Sequence, residues 1–263
     1  MLHGLRPKKS LGQNFLINTG ILEKIVLAAE LSSDDTVLEV GPGTGNLTKL
    51  LSEKAGRVIA IEKDRRLIRE LQEKFKNTNV EVNEGDVLKF QPTTYNLRPL
   101  TYKIVANIPY YITSNLLRII FDGWPKPKLI VLTIQKEVAQ RMVAKPPYMN
   151  LLAVSVQLYS EPKIISYISK GSFRPMPKVN SAIIKLVPKP ISLTPNERGI
   201  FFQVVRAGFS GKRKQLINNL SKNFGMIKED LSEIFKKMGI RQDIRAENLS
   251  LNQWLELVKY IKK

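Results

Sequence analysis

The sequence predicts an α/β fold in which a mostly parallel sheet, with helices on both faces, is followed by a small all-α C-terminal domain. Short apolar runs alternate with segments of helical periodicity from residue 36 to about 135, which is typical of consecutive β-α-β units. Beyond residue 190 only helical spacing recurs, with Gly and Pro between the segments. Because parallel sheets bind ligands at the carboxyl ends of their strands, the functional residues are expected there.

The strands of the sheet are predicted from five apolar runs, at 36–40, 57–61, 80–82, 103–106 and 129–134. Helical spacing predicts helices at 46–55, 64–75, 113–121 and 136–143. Two later runs, Val154–Tyr159 and Ser181–Val187, are predicted as further strands. Strands added late to such a sheet commonly form an antiparallel edge, which is the expectation here.

The C-terminal region is expected to be a separate helical domain. The segment Pro188-Lys-Pro190 has the composition of a linker, so the predicted domains are residues 1–188 and residues 189–263. Helical spacing in the second domain predicts helices at 196–209, 212–224, 228–238 and 251–261.

The composition excludes several kinds of chemistry. The chain has no Cys and a single His, which excludes disulfides, thiolate nucleophiles and the usual zinc sites, and no metal is expected. Its longest apolar runs, such as Leu129–Ile134, are far shorter than the roughly 20 residues that span a bilayer. The first ten residues lack the apolar core of a signal peptide, so a soluble, cytoplasmic protein is expected.

Positive charge is concentrated in the second half of the chain. The formal net charge is +19, and residues 163–214 contain eleven Lys or Arg against one acid, Glu197. Clustered cations repel one another, so a polyanionic partner such as nucleic acid is the favoured interpretation. A solvated basic surface without a partner is the alternative.

A glycine-rich turn with acidic residues around it predicts a cofactor site. Gly41 and Gly43 lie where the first predicted strand turns into a helix, and Glu39 precedes them. Glu62 ends the second predicted strand, where a carboxylate can accept both hydroxyls of a ribose, and Asp86 follows the third. Three acids at three strand ends would converge on one crevice, although each alone fits an ordinary exposed acid.

The spacing of the glycines favours S-adenosylmethionine over a dinucleotide. A dinucleotide turn reads G-x-G-x-x-G, whereas this one reads G-x-G-x-G. The carboxylate of Glu39 is poorly placed beside a pyrophosphate but well placed near an ammonium or sulfonium group. The sequence therefore predicts a Rossmann-like, S-adenosylmethionine-dependent methyltransferase sheet.

The motif Asn107-Ile-Pro-Tyr110 follows the fourth predicted strand and would face the same crevice. The side-chain oxygen of Asn107, with the carbonyl of Ile108 or Pro109, can accept both N–H groups of an aromatic amine. This grip aims the nitrogen lone pair at the methyl group, while Tyr110 stacks on a purine flipped out of its helix. A loop-forming Asn and Pro with partly buried rings is the alternative.

The absence of Cys bears on which atom is methylated. Methylation of a pyrimidine ring carbon normally needs a covalent thiolate adduct, whereas methylation of an amine does not. The predicted target is therefore an amino group, and the basic half of the chain indicates that this group belongs to nucleic acid.

Six ordered motifs resemble the family of ribosomal RNA adenine dimethyltransferases that modify two adjacent adenosines near the 3′ end of small-subunit (16S) RNA. These motifs are Lys8–Leu16, Glu39–Thr48, Asn107–Tyr110, Gln135–Arg141, Phe173–Ala182 and Lys212–Leu220, so the resemblance extends over nearly the whole chain. It implies two methyl transfers to each adenosine and a role in small-subunit biogenesis, on the assembling 30S subunit. Nothing in the sequence demands more than a monomer.

The resemblance also implies roles for residues that the local pattern leaves open. Asn14 and Leu16 would help to hold S-adenosylmethionine, and Phe173 would stack on the target base opposite Tyr110. From the residues alone Asn14 simply precedes the first helix, which Asn18 or Thr19 would cap, and Phe173 fits a core anchor equally well. RNA contacts are expected from Arg174, Lys178, Arg206, Lys212, Arg213 and Lys214.

The sequence departs from the family pattern at two places. Tyr111 stands where members often have a small residue, and the loop 144–150 is short and lacks the usual glycine.

Two other functions remain as alternatives. The first is a methyltransferase of adenine in large-subunit (23S) RNA, of the antibiotic-resistance type, which shares the Asn-Ile-Pro-Tyr motif. The second is a ribosome assembly factor without catalysis, against which the intact Asn107–Tyr110 motif argues.

Overall fold

In the computed structural model, residues 7–8 and 11–261 are described, and the chain divides into two compact units. The first unit extends to Ala139 and also includes Glu161–Pro188. The second combines Gln140–Ser160 with the chain from Lys189 onward. Pro188 is the last residue of the first unit, and the assignment of residues 189–263 to a separate RNA-binding domain stays a prediction.

The first unit is built around the sheet. In the described chain the strands are β1 (Phe15–Leu16), β2 (Thr36–Val40), β3 (Arg57–Glu62), β4 (Val80–Glu84), β5 (Tyr102–Asn107), β6 (Leu129–Gln135), β7 (Ser160–Ile168), β8 (Phe173–Arg174) and β9 (Ser181–Pro188). Its helices are α1 (Thr19–Ala28), α2 (Asn46–Ser52), α3 (Arg65–Lys74), α4 (Thr113–Asp122) and the start of α5 (Lys136–Met142). The five strands predicted up to residue 135 are confirmed, as is the cap of α1 by Asn18, whose Oδ1 accepts from the amide of Ile21 at 3.1 Å.

The main sheet has the strand order β4-β3-β2-β5-β6-β9-β7. Strands β4, β3, β2, β5 and β6 are parallel, and β9 pairs antiparallel with β6, which confirms the predicted antiparallel edge. The chain runs outward from β2 to β4 and then returns to β5 on the other side of β2, so the strand order reverses between β2 and β5. Crevices at such a reversal are where open α/β sheets bind ligands.

The central strands are apolar on both faces because both faces are covered. Val37 and Leu38 of β2 are fully buried although they point to opposite sides of the sheet, as are Ile104 and Val105 of β5. Lys103 of β5 is a buried charge among these strands, and its Nζ donates to the carboxylate of Asp35 at 2.8 Å. A buried pair of this kind keeps both charges compensated.

One strand prediction is wrong. Residues Val154–Tyr159 are not a strand but part of helix α6 (Leu151–Tyr159). The apolar run is buried on several sides, so its periodicity does not separate a strand from a buried helix. The deciding signal is Asn150, whose Oδ1 accepts from the amide of Ala153 at 3.1 Å and caps the helix. A strand that was not predicted, β7, begins at Ser160, directly after this helix.

The second unit is helical. Besides α6 and the end of α5 it contains α7 (Pro195–Gly208), α8 (Leu216–Phe224), α9 (Lys228–Lys237) and α10 (Leu251–Ile261). The rings of Tyr159 and Phe202 stack at 6.2 Å where α6 meets α7. The predicted helical start at Lys212 is wrong, because α8 begins at Leu216 and residues 211–215 form a turn.

Candidate active site

The predicted cofactor residues lie around a single cleft at the carboxyl ends of β2, β3, β4 and β5. Its volume is about 1090 Å³, part of which is open to solvent. The predicted residues that line it are Asn14, Leu16, Glu39, Gly41, Gly43, Glu62, Asp86, Asn107, Pro109 and Tyr110. The parallel strand order brings together the residues near the strand ends, as their positions predicted. Asn14 and Leu16, which were expected from the family resemblance, reach the cleft from the N-terminal segment.

The glycine turn forms the floor of the cleft. Gly43 has a φ of 58°, a left-handed conformation that side chains rarely adopt. A Cβ atom at this position would lie 2.9 Å from the ring of Phe15, so any side chain would collide with the segment above it. The turn therefore needs glycine at this position both for its backbone and for the close approach of residues 11–16.

Glu62 is held by backbone amides at the end of β3. Its Oε2 accepts from the amide of Gly43 at 3.0 Å, and its Oε1 accepts from the amide of Asp64 at 2.8 Å. The carboxyl group is buried, and burial raises its pKa although the amide hydrogen bonds act in the opposite direction. Both oxygens are thereby fixed in one orientation toward the cleft, where a ribose diol could be bound.

Asp86 follows β4, the strand next to β3, so it lies on the side of Glu62 that is away from β2. Its Oδ2 accepts from Lys63 Nζ at 2.8 Å, and its Oδ1 accepts from the amide of Leu88 at 3.0 Å. Burial acts to raise the pKa of Asp86, but these hydrogen bonds outweigh it and hold the pKa below its ordinary value. An ionised acceptor therefore lines the cleft next to Glu62.

Glu39 is the least solvated acid of the cleft. It is the last residue but one of β2 and has 1% of its surface exposed, and its Oε2 has no hydrogen-bond partner among the described residues. Burial raises the pKa of Glu39 to about 8. A buried acid with a free oxygen is a position where a cationic ligand group would be stabilised.

The raised pKa of Glu39 predicts a pH-dependent stability. Because the folded state holds the proton more tightly than the unfolded state, the stabilising contribution is complete below pH 4.5 and is lost as the pH rises toward 8. Glu39→Gln should remove this loss, so the free energies of unfolding of variant and wild type should diverge by up to about 1.4 kcal/mol per pH unit over that range. Urea unfolding at several pH values measures the difference, and parallel curves would contradict the assignment.

Two hydrogen bonds that were not predicted from the sequence fasten the N-terminal residues over the cleft. Gln13 Nε2 donates to Asp64 Oδ2 at 2.9 Å, and the carbonyl of Asn14 accepts from Asn107 Nδ2 at 3.1 Å. Leu16 is buried and pairs with β8. Asp64 also caps α3, a role that its position before the helix could have predicted, whereas its contact with Gln13 is a tertiary one.

The motif Asn107–Tyr110 lies at the rim of the cleft. Because the Nδ2 of Asn107 donates to the carbonyl of Asn14, its Oδ1 is the remaining acceptor, and no described residue donates to it. Tyr110 is fixed by a 2.5 Å hydrogen bond between its hydroxyl and Ser181 Oγ, and burial raises the pKa of Tyr110. Tyr111, the departure from the family pattern, also lines the cleft and is 59% exposed.

Phe173 lies apart from these residues. It is 2% exposed, pairs with Leu16 across β1 and β8, and belongs to the hydrophobic core. It is not among the residues that line the cleft. Its predicted stacking on a target base, opposite Tyr110, stays a prediction.

The predicted RNA contacts are exposed in both units. Arg174 is the last residue of β8, and Lys178 lies between β8 and β9 of the first unit. In the second unit, Arg206 lies in the last turn of α7, and the turn before α8 contains Lys212, Arg213 and Lys214. The side chain that holds this turn was not predicted from the sequence. It is the buried Asn219, whose Nδ2 donates to the carbonyls of Gly208 at 2.7 Å and Gly211 at 3.1 Å.

Among the described residues, no group of three or more His, Cys, Asp or Glu side chains is arranged to hold a metal ion. Within the same part of the chain, no helix has the length and apolar character needed to cross a membrane.

Comparison with known proteins identifies a matching family and similar sequences. A family model described as ribosomal RNA adenine dimethylase matches residues 4–263. Ribosomal RNA small subunit methyltransferase A of Dehalococcoides mccartyi is 44% identical over 252 residues, which cover 95% of this chain and 87% of the relative. The protein of the same name from Pelotomaculum thermopropionicum is 38% identical over 270 residues, covering 97% of this chain and 91% of the relative.

Two solved structures match almost the entire chain. The crystal structure of a dimethyladenosine transferase from Plasmodium falciparum is similar with a TM-score of 0.80 and 32% identity, covering 94% of this chain and 98% of that one. That of the 23S rRNA methyltransferase ErmE is similar with a TM-score of 0.78 and 26% identity, covering 95% of this chain and 100% of that one. The predicted fold, with its helical C-terminal region, is therefore confirmed.

Proposed function

The chain belongs to the ribosomal RNA adenine dimethylase family, and from that premise we propose that it dimethylates two adjacent adenosines near the 3′ end of small-subunit ribosomal RNA, with S-adenosylmethionine as the methyl donor. The observation that carries the proposal is the position of Asn107 at the mouth of a cleft lined by Glu39, Glu62 and Asp86. The curated relatives at 38–44% identity are named as small-subunit enzymes, whereas ErmE, a 23S rRNA methyltransferase, is 26% identical. This difference favours the small-subunit substrate over the large-subunit alternative.

The residues of the cleft fit S-adenosylmethionine. Glu62, with both oxygens oriented by backbone amides, would accept the two ribose hydroxyls, and Asp86 would accept a hydrogen bond from the adenine amino group. The buried, unpartnered oxygen of Glu39 suits the cationic amino-acid end, whose charge would lower the raised pKa of Glu39. Asn14, Leu16, Gly41 and Gly43 would enclose the rest of the molecule. When bound, S-adenosylmethionine supplies a methyl group on a positively charged sulfur.

Asn107 would make the target amine nucleophilic. The lone pair of an exocyclic adenine amine is delocalised into the ring, so the nitrogen attacks poorly until its geometry becomes tetrahedral. Asn107 Oδ1 would accept one of its N–H groups. The carbonyl of Pro109 already accepts from the amide of Ile112 at 3.2 Å, which favours the carbonyl of Ile108 as the second acceptor. The grip aims the lone pair at the methyl group, and the amine proton is lost to water after transfer, so no strong base is needed.

Tyr110 and the exposed cations would present the RNA to this site. The ring of Tyr110, fixed through Ser181, would stack on the flipped adenine. The exposed Arg174, Lys178, Arg206 and the turn 212–214 would contact phosphates. We place this activity in the cytoplasm, on the assembling 30S subunit, with the protein acting as a monomer.

Methylation of separated ribosomal subunits tests the proposal. The protein is incubated with a labelled methyl donor and with undermethylated small or large subunits, and the modified bases are mapped. We expect label in the small subunit alone, as two methyl groups on each of two adjacent adenosines near the 3′ end of its RNA. Label in the large subunit alone would select the alternative, and no label in either would favour an assembly factor without catalysis.

A further inference from the structure

An exposed aromatic ring lies on the edge strand of the sheet, outside the cleft. Tyr167 of β7 is 51% exposed, and Ile165, two residues before it, is 37% exposed. Successive side chains of a strand alternate between its faces, so Lys163, Ile165 and Tyr167 share one face. Edge strands that present apolar side chains in this way invite pairing with other molecules, and such exposure commonly marks a binding surface.

The chain around this ring is mostly basic, although Glu161, near the start of β7, is exposed on the same face. The segment from Pro162 to Asn180, called here the acid-free segment, contains no Asp or Glu and four cations, Lys163, Lys170, Arg174 and Lys178. None of these cations forms an ion pair with an acidic side chain of the described chain. The Nζ of Lys136 lies 4.9 Å from the centroid of the Tyr167 ring. A polyanion that also offers flat rings fits this combination of uncompensated cations and aromatic surface.

Continuous contacts join the ring to the catalytic motif. Tyr110 is bonded to Ser181, the first residue of β9. The carbonyl of the preceding residue, Asn180, accepts from the amide of Lys136 at 3.0 Å, and Lys136 in turn lies over Tyr167. In the strand order β5-β6-β9-β7, β7 is three strands from β5, or roughly 14 Å at the usual spacing. A few nucleotides of single-stranded RNA span this distance.

We propose that Tyr167, with Lys136 over its ring, is a stacking platform for an unpaired base of the RNA strand that leads to the target adenosine. The inference rests on the proposed function and extends it to a surface outside the cleft. The cations of the acid-free segment bind the phosphates on either side of that base. Because every base has an aromatic face, the platform orders the strand without selecting its sequence. Single-stranded RNA is favoured over a protein partner because the surface combines an exposed aromatic ring with four cations that have no acidic partner.

The test is a comparison of Tyr167→Ala and Tyr167→Phe in the methylation of undermethylated small subunits. For Tyr167→Ala we expect the KM for the subunit to rise about 10-fold, the loss of one stacked base, while kcat and the KM for S-adenosylmethionine stay unchanged. Tyr167→Phe keeps the ring and should behave as wild type. The dependence of binding on salt should be the same in all three proteins, because stacking releases no counterions. Leu27→Ala, which truncates a side chain of α1 that is 79% exposed, is the matched control and should have no effect.

Several results would overturn the inference. A wild-type KM in Tyr167→Ala would remove the platform, and an equal loss in Tyr167→Phe would assign the effect to the hydroxyl group. Ultraviolet cross-linking of the wild-type complex, read by mass spectrometry, should join Tyr167 to a nucleotide within a few positions of the methylated adenosines. A cross-link to a protein of the subunit instead would also contradict it. Failure of the wild-type protein to methylate the small subunit would be a separate result, which counts against the proposed function itself.

Discussion

Asn107→Ala should lower the rate of methyl transfer to RNA by roughly 10³-fold or more, the loss expected when a polar contact specific to the transition state is removed. The side-chain oxygen of Asn107 is the acceptor that the cleft leaves free, since its Nδ2 is committed to the carbonyl of Asn14. Without that oxygen the amine keeps its planar geometry and its lone pair stays in the ring. Single-turnover kinetics with saturating methyl donor measure this loss directly.

The same variant should still bind S-adenosylmethionine, more weakly than wild type. The hydrogen bond from Asn107 to Asn14 fastens the N-terminal segment over the cleft, whereas Glu39, Glu62 and Asp86 are untouched. Calorimetric titration with the methyl donor separates the two effects. Asn83→Ala is a suitable control, because it removes an amide near the end of β4 that does not line the cleft. A near-normal rate in Asn107→Ala would mean that the amide does not grip the target amine.

Neutralising Arg206, Lys212, Arg213 and Lys214 together should produce the second large effect, on RNA binding. All four side chains are exposed, and the last three lie on one turn that Asn219 holds in place. Each lost phosphate contact should lower the slope of log K against log salt by roughly 0.7–0.9, so affinity at low salt should fall by orders of magnitude. Filter binding of the RNA at several salt concentrations gives the slope.

A variant with the same change in charge elsewhere controls for net charge. Lys222, Lys228, Lys236 and Lys237 are exposed in the same unit, on α8 and α9, and replacing them with Gln should leave the slope close to wild type. Thermal unfolding should confirm that both variants are folded. An unchanged slope in the first variant, with a reduced slope in the control, would move the RNA surface to α8 and α9.

The acids of the cleft were predictable because a parallel sheet imposes their positions. Glu39, Glu62 and Asp86 each lie within two residues of the end of a strand, and strands running in one direction bring their carboxyl ends to one edge. The amide of Asn107 follows from the same geometry. The local sequence pattern was sufficient for these residues, because any residue near the carboxyl end of a central parallel strand lies at the cleft.

The residues that local pattern did not predict depend on contacts between distant segments. The hydrogen bond from Gln13 to Asp64 joins residues 51 positions apart, and that from Asn107 to Asn14 joins residues 93 apart. The contact of Lys136 with Tyr167 likewise requires β7, a strand that was missed because the apolar run before it was interpreted as the strand. Periodicity carries no information about pairs of distant residues. The hydrogen bonds that hold residues 11–16 over the cleft, and the exposed surface on β7, therefore could not be predicted from the sequence.

A crystal structure of the protein with S-adenosylmethionine bound would test the central claim most directly. We expect the ribose hydroxyls on Glu62, the amino-acid end beside Glu39, and the methyl group directed toward Asn107 Oδ1 at the mouth of the cleft. A donor bound elsewhere, or one whose methyl group points away from Asn107, would contradict the proposed catalytic site.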